Sequence, residues 1–586
     1  MKLQLQDQST PLSIEQLRNA YRSGETSPEE VVTEIIRRAE EDADKNIWIT
    51  PPRMERIRPY LDRLSELNPS VCPLWGIPFG IKDNIDWAGI PTTAACPDYQ
   101  YVPKDNATVV ERLIAAGAIP IGKTNMDQFA TGLVGVRSPY GETHNALRGE
   151  LISGGSSSGS AVAVARGHVA FSLGTDTAGS GRVPASLNGI FGYKPSLGSW
   201  PIRGVVPASA SLDCVTAFTN SLEDALEVDR IVRGPDESDP WSKELPLPQA
   251  AIPCKLLLPE GSLHFYGPYA SEYEQAWKKA VRRLEQLRIP IEYVDVRGFH
   301  QAANLLYGGP FVEERWAGLG SFIDAHPNSV LPVTERILRS GSASKYDGAS
   351  VFRAMHALQS IKLETNKLLK GAVLIMPTAG GTWTREQVRN DPIKTNTEMG
   401  TYTNHCNLLD LFGVAVPAEA ADEKLPFGIT IFSLASNEGY AIGAAQFFVS
   451  GEGHKTTMQP TPKHTLVAVC GLHMRGLALE TQMLQYGARF LREDRTVEKY
   501  RMFKLSTNPA KPGLVKRPED GKSIALEVWE MPLDKFGHFV ANIPAPLGIG
   551  KVELEDGTEV PGFVCEPYST RGSEDITDYG GWKSVK

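Results

Sequence analysis

Apolar positions fall into three regimes along the chain. Near the start, Val31, Val32, Ile35 and Ile36 recur at helical spacing. Ser27-Pro28-Glu29-Glu30 ahead of them supplies an N-cap, a proline at the first helical position and a capping-box glutamate. From residue 73 to 194 the pattern changes to short apolar runs cut by glycine turns. There 76–81, 119–122 and 170–173 read as strands, and 109–116 and 160–166 as helices. Such alternation predicts an α/β layer with much of its sheet covered on both faces.

Residues 255–370 are mostly helical in pattern, most clearly over 271–287 and 354–369, and 372–377 and 427–432 read as further core strands. A polar, turn-rich stretch follows over 451–464, with Pro460 and Pro462, and reads as a linker. Beyond it strand signals dominate at 465–469, 523–528 and 551–565, the last around Asp556-Gly557, a strong hairpin turn. The expected organisation is an α/β domain over 1–450, the linker over 451–464, and a smaller β-rich domain over 465–586.

Composition narrows the function. At 586 residues the chain exceeds one ordinary core, in keeping with two domains. A net charge of −9 argues against nucleic acid as a partner, since phosphate binding wants a basic surface. Seven scattered cysteines without a C-x-x-C pair fit reduced thiols better than a disulfide framework. No H-E-x-x-H or paired Cys/His spacing points to a metal. The opening MKLQLQDQSTPLS has no charged region leading into an apolar core, and no apolar run reaches the roughly 18 residues of a membrane span. A cytoplasmic protein without membrane contact is expected.

The candidate chemistry lies in two glycine-rich serine loops and one lysine. Gly154-Gly155-Ser156-Ser157-Ser158-Gly159-Ser160 admits a phosphate-loop reading, but the G-K-[ST] ending is missing. It also matches G-x-S-x-G formally, yet residues 148–153 make a weak strand and none of the eleven histidines stands out as a partner. The third reading joins Ser156 to Ser180, in Gly174-Thr175-Asp176-Thr177-Ala178-Gly179-Ser180-Gly181-Arg182, and to Lys82, in Gly80-Ile81-Lys82-Asp83. A serine hydroxyl needs a base to become a nucleophile, and lysine serves once its pKa falls from about 10.4. The apolar approach over 75–81 would supply the desolvation, and Asp83 would oppose it if it faced the same way.

On Gly76-Ile77-Pro78-Phe79-Gly80-Ile81-Lys82-Asp83, the 154–160 loop, and residues 174–185 with Gly192-Tyr193-Lys194-Pro195, the chain resembles the amidase signature family over roughly residues 10–450. The resemblance implies a mixed central sheet covered by helices and amide hydrolysis without metal or organic cofactor. It implies that Ser180 is the acylated nucleophile, Ser156 a bridging serine that usually follows a cis peptide, and Lys82 the base. Thr177, Ala178, Gly179 and Ser180 correspond to the family's oxyanion hole. Ser157, Ser158 and Ser160 are expected to be structural hydrogen-bonders.

Tyr307-Gly308-Gly309-Pro310 followed by Glu314-Arg315 is similar to the allophanate hydrolase branch. There the matching tyrosine and arginine, here Tyr307 and Arg315, bind the substrate carboxylate, and Gly132 is a further backbone contact. Taken alone, Arg315 reads more readily as half of a surface ion pair beside Glu313 and Glu314; the rest of the pattern turns the reading toward the carboxylate. The branch also carries a C-terminal domain resembling the γ-glutamylcyclotransferase-like fold and linked to the second half of the reaction. His473, in Cys470-Gly471-Leu472-His473, is the candidate residue in it. The resemblance implies allophanate as substrate, urea breakdown downstream of a biotin-dependent urea carboxylase that is itself a candidate partner, and a homodimer is expected. The alternative substrate is another small carboxylate-bearing amide; a non-catalytic scaffold is the alternative from another class.

Overall fold

The computed structural model describes residues 12–69, 71–342, 346–450 and 464–585. The chain divides into two compact units, Met1–His454 and Lys455–Lys586. The expected linker falls outside the described residues except for His464, which opens a strand.

The larger unit is built on an eleven-stranded mixed sheet. Pro78–Lys82 lies between Ile119–Thr124 and Phe171–Asp176 and is parallel to both. Cys214–Thr219 runs antiparallel to Phe171–Asp176 and pairs next with Phe191–Lys194. The sheet continues through Leu411–Pro417, Gly428–Leu434, Ala372–Pro377, Lys255–Pro259 and Ile291–Val294. Every residue of the strands Pro78–Lys82, Ile119–Thr124 and Phe171–Asp176 is buried, so both faces of this part of the sheet are covered. Helix Ser158–Ala165 packs on these strands, and helix Glu438–Ser450 on the Leu411–Pro417 side. The N-terminal capping box forms as read: Glu30 N–H donates to Ser27 Oγ at 3.3 Å, and Ser27 N–H donates to Glu30 Oε2 at 2.8 Å.

The segment 255–370 is less purely helical than its pattern. It opens with Lys255–Pro259 and Ile291–Val294, paired in parallel at one edge of the sheet. Four- and five-residue apolar runs do not distinguish strand from helix by period alone. Among the described residues no helix is long and apolar enough to cross a membrane.

The smaller unit holds a five-stranded sheet, a three-stranded sheet and a core of its own around Val467, Trp529 and Phe539. Leu547–Glu553 and Glu559–Cys565 form the expected hairpin, with Gly557 at φ +83°. Helix Leu533–Ala541, which the sequence pattern did not announce, packs on Ala525–Pro532.

One ion pair fixes the loop beyond strand Phe171–Asp176. Arg182 Nη2 lies 2.9 Å from Asp176 Oδ1 with both side chains fully buried, and the same carboxylate accepts Gly179 N–H and Gly181 N–H, each at 2.9 Å. Arg182→Met leaves that carboxylate unpaired and is expected to destabilise the larger unit by about 3–5 kcal/mol. Urea denaturation measures it; a loss below about 1 kcal/mol contradicts a structural role for the pair.

Candidate active site

Three parallel strands end at one edge of the sheet, and the register there sets Lys82 beside Thr124. Lys82 is fully buried. Its Nζ donates to Ser156 Oγ and to Thr175 Oγ1, each at 2.7 Å. No carboxylate lies within ion-pair distance of it among the described residues. Asp83 faces elsewhere, accepting Thr93 N–H at 3.0 Å and lying 3.6 Å from Lys123 Nζ. Burial therefore pushes the Lys82 ammonium down to about 7, although the more distant charges of Asp127, Asp213 and Asp176 oppose the shift. A lysine held there can accept a proton from the hydroxyl it touches.

Ser156 follows a cis Gly155–Ser156 peptide. Only glycine fits at 155, because a Cβ there would stand 2.1 Å from Asp127 Oδ2. Ser156 carbonyl accepts Asp127 N–H at 3.0 Å. The neighbouring serines brace the loop: Ser157 Oγ donates to Thr175 carbonyl at 3.1 Å, Ser158 bonds Thr143 at 3.0 Å, and Ser160 bonds Thr124 at 2.6 Å.

Ser180 sits between Gly179 and Gly181 where the Asp176-anchored loop enters helix Val183–Leu187. It is 3% exposed, and its Oγ makes no hydrogen bond among the described residues. The structure thus joins Lys82 to Ser156 but does not join Ser156 to Ser180; catalytic hydrogen bonds commonly tighten only in the substrate complex. The four expected oxyanion donors are not equivalent. Gly179 N–H donates to Asp176 Oδ1 at 2.9 Å. The N–H groups of Thr177, Ala178 and Ser180 make no hydrogen bond among the described residues, and they can meet a developing oxyanion.

Arg315, 1% exposed on helix Val312–Ala325, is not part of a surface ion pair. Glu314 turns away to accept Ser211 N–H at 2.8 Å. Arg315 donates from Nη2 to Tyr307 hydroxyl and from Nη1 to Thr131 Oγ1, each at 3.1 Å. Its Nε has no partner among the described residues. Gly132, buried next to Thr131, would bring a Cβ within 2.6 Å of Asp127 Oδ2. Tyr307 and Arg315 adjoin the loop that carries Ser180. Tyr307 packs against a cluster containing Ala178, Leu212 and Leu306. Asp213 braces the nucleophile loop from the other side: it accepts Thr177 hydroxyl and the N–H groups of Ala208 and Ser209. Burial pushes its carboxyl up to about 6, offset in part by the Thr177 hydroxyl and the nearby Arg315 charge.

In the smaller unit His473 lines a cavity of about 590 Å³ with Leu472, Gln482, Lys511, Phe539 and Phe563. Its Nε2 lies 3.0 Å from Gln482 Oε1, and the ring stacks on Phe563 with centroids 4.8 Å apart. Burial holds its pKa below the usual histidine value. Among the described residues no group of three or more His, Cys, Asp or Glu is placed to hold a metal ion.

Sequence reasoning did not single out Thr175, Thr131 or Asp213. Thr175 stands inside a quoted motif, which was its one available signal; Thr131 and Asp213 join the site only through contacts across the fold.

Comparison with known proteins agrees with this organisation. A family model described as Amidase matches residues 30–440, and one described as Allophanate hydrolase C-terminal domain matches residues 465–586. Urea amidolyase of Saccharomyces cerevisiae is 39% identical over 574 residues, 92% of this chain. The chain spans only 31% of that relative's length. The solved allophanate hydrolase of Kluyveromyces lactis superposes with a TM-score of 0.74 at 37% identity, covering 98% of each chain. Urea amidolyase of the same yeast superposes with a TM-score of 0.75 at 36% identity, over 98% of this chain and 36% of the other.

Thr175→Val removes one of the two acceptors at Lys82 Nζ while keeping shape. The rate at which a fluorophosphonate acylates Ser180 is expected to fall about tenfold, the worth of one hydrogen bond. An unchanged rate contradicts a part for Thr175 in holding the lysine.

Proposed function

Since the chain belongs to the amidase family, with an allophanate hydrolase C-terminal domain behind its amidase unit, we propose that it hydrolyses allophanate in the breakdown of urea. One observation carries the choice of substrate: a buried guanidinium, Arg315, without a carboxylate partner among the described residues, beside the loop that presents Ser180. Arginine's planar fork suits a carboxylate, and the unpartnered Nε leaves capacity for one.

In this reading Arg315 and Tyr307 hold the carboxylate of the ureido acid, with Gly132 lining the same wall. Lys82, neutral, takes the Ser180 proton through Ser156 as Ser180 Oγ bonds to the terminal carbonyl carbon. The N–H groups of Thr177, Ala178 and Ser180 receive the oxyanion. Ser156 returns the proton to the amide nitrogen, the C–N bond breaks and ammonia leaves. Water, deprotonated along the same relay, then cleaves the Ser180 ester and releases N-carboxycarbamate. That product loses carbon dioxide and gives a second ammonia, and the cavity around His473 is the place we assign to this later step. The reading places a urea carboxylase upstream and leaves another small carboxylate-bearing amide as the alternative substrate.

Ammonia release from allophanate by the full chain tests the proposal. Ser180→Ala is expected to lower kcat at least about a thousandfold. Arg315→Ala should raise KM for allophanate about a hundredfold and Tyr307→Phe about tenfold, with the loss confined to carboxylate-bearing amides. No ammonia from allophanate sinks the assignment; equal loss on uncharged amides sinks the carboxylate clamp.

A further inference from the structure

Among the described residues, Arg315 shares with a second buried guanidinium the lack of an ion-pair partner. Arg137, 2% exposed, also has an Nε without a partner among the described residues. Both arginines converge on one residue. Arg315 Nη1 donates to Thr131 Oγ1 at 3.1 Å, and Arg137 Nη1 donates to Thr131 carbonyl at 2.9 Å.

Arg137 closes the loop that carries Thr131. Its own N–H donates to Asp127 Oδ1 at 2.9 Å, and its carbonyl accepts Gln128 N–H at 2.7 Å. Its Nη2 reaches out of the loop to Pro392 carbonyl at 2.5 Å. Residues 127 and 137 are thereby locked together, with Thr131 held from inside. The loop needs holding, because Phe129 and Ala130 are consecutive non-glycine residues in the left-handed region, at φ +50° and +51°. Such a conformation persists only where surrounding contacts over-determine it, and it clusters at functional sites. The loop also touches the nucleophile machinery: Asp127 N–H donates to Ser156 carbonyl at 3.0 Å, and Asp127 Oδ2 lies against Gly155.

We infer that Arg137 is a positioning residue for substrate recognition, fixing Thr131 so that Thr131 Oγ1 orients the Arg315 guanidinium toward the substrate carboxylate. Arg137 itself touches no substrate. Lys82 holds Ser156 Oγ from the strand end and is itself held by Thr175, so the larger effect falls on substrate capture rather than on turnover. This inference rests on the reading of Arg315 as the carboxylate clamp.

The test is steady-state kinetics of full-length Arg137→Met, Arg137→Lys, Arg315→Ala and the Arg137→Met/Arg315→Ala double variant on allophanate, with fluorophosphonate labelling of Ser180 as the check of folding. Arg137→Met is expected to raise KM at least about tenfold with kcat within about threefold, and Arg137→Lys, which keeps the charge but one arm only, to fall between. In the Arg315→Ala background, adding Arg137→Met should change KM less than about twofold, since both act through one guanidinium. KM unchanged in Arg137→Met, kcat falling as steeply as KM rises, or effects that multiply in the double variant would each overturn the inference. Should Arg137→Met not label, Arg137→Lys carries the same comparison. If Arg315→Ala alone leaves KM unaltered, the clamp reading is what fails, and the inference falls with it.

Discussion

The burial of Lys82 with no carboxylate beside it among the described residues is the constraint on which the site depends. An ammonium ion at the closed end of a fully covered strand loses its hydration and gains only two hydroxyl acceptors in return. The cheaper state is the neutral amine, and a neutral amine in contact with Ser156 is a base. The surrounding backbone preserves this condition. Asp83, the adjacent carboxyl, sits in the turn just past the strand and faces Thr93 and Lys123, and Asp176 is occupied by Arg182 and two N–H groups of the nucleophile loop. A fold that let either carboxylate reach Nζ would keep the lysine charged.

The same accounting distinguishes the cations of the site. Arg182 is neutralised by Asp176 and serves the loop; Arg315 and Arg137 have hydroxyl and carbonyl acceptors but no paired carboxylate among the described residues. One pole of the site therefore carries a lysine driven toward neutrality and the other carries unpaired guanidinium groups. A substrate with an amide at one end and a carboxylate at the other fits that polarity. Asp213 stands between the poles, bonded to Thr177 and close in charge to Arg315.

Much of this was legible in the chain. Lys82, Ser156 and Ser180 announce themselves through glycine-rich and apolar frames, because close backbone packing restricts those positions to small residues; at Gly155 a Cβ would collide with Asp127. Continuous apolar runs identified the central strands for the same reason, that both their faces are covered. Cys214–Thr219 escaped notice because it buries Thr216 and Thr219 among its apolar residues, and periodicity sees only the latter. Thr131 lies 184 residues from the Arg315 it holds, and no local pattern encodes such a contact. Gly179 shows a similar limit: the motif does not announce that Asp176 takes its N–H in the folded loop.

The central claim, that burial makes Lys82 the base for Ser180, is tested most directly by the pH dependence of Ser180 acylation by a fluorophosphonate, in the unaltered chain and in Lys82→Met. Protonated lysine cannot accept the serine proton, so the rate should be low at acid pH, climb as the ammonium is lost, and level off above a midpoint near 7. Lys82→Met should react slowly and without that midpoint. A midpoint near the ordinary lysine value of about 10.4, or the same profile in the variant, would contradict the account.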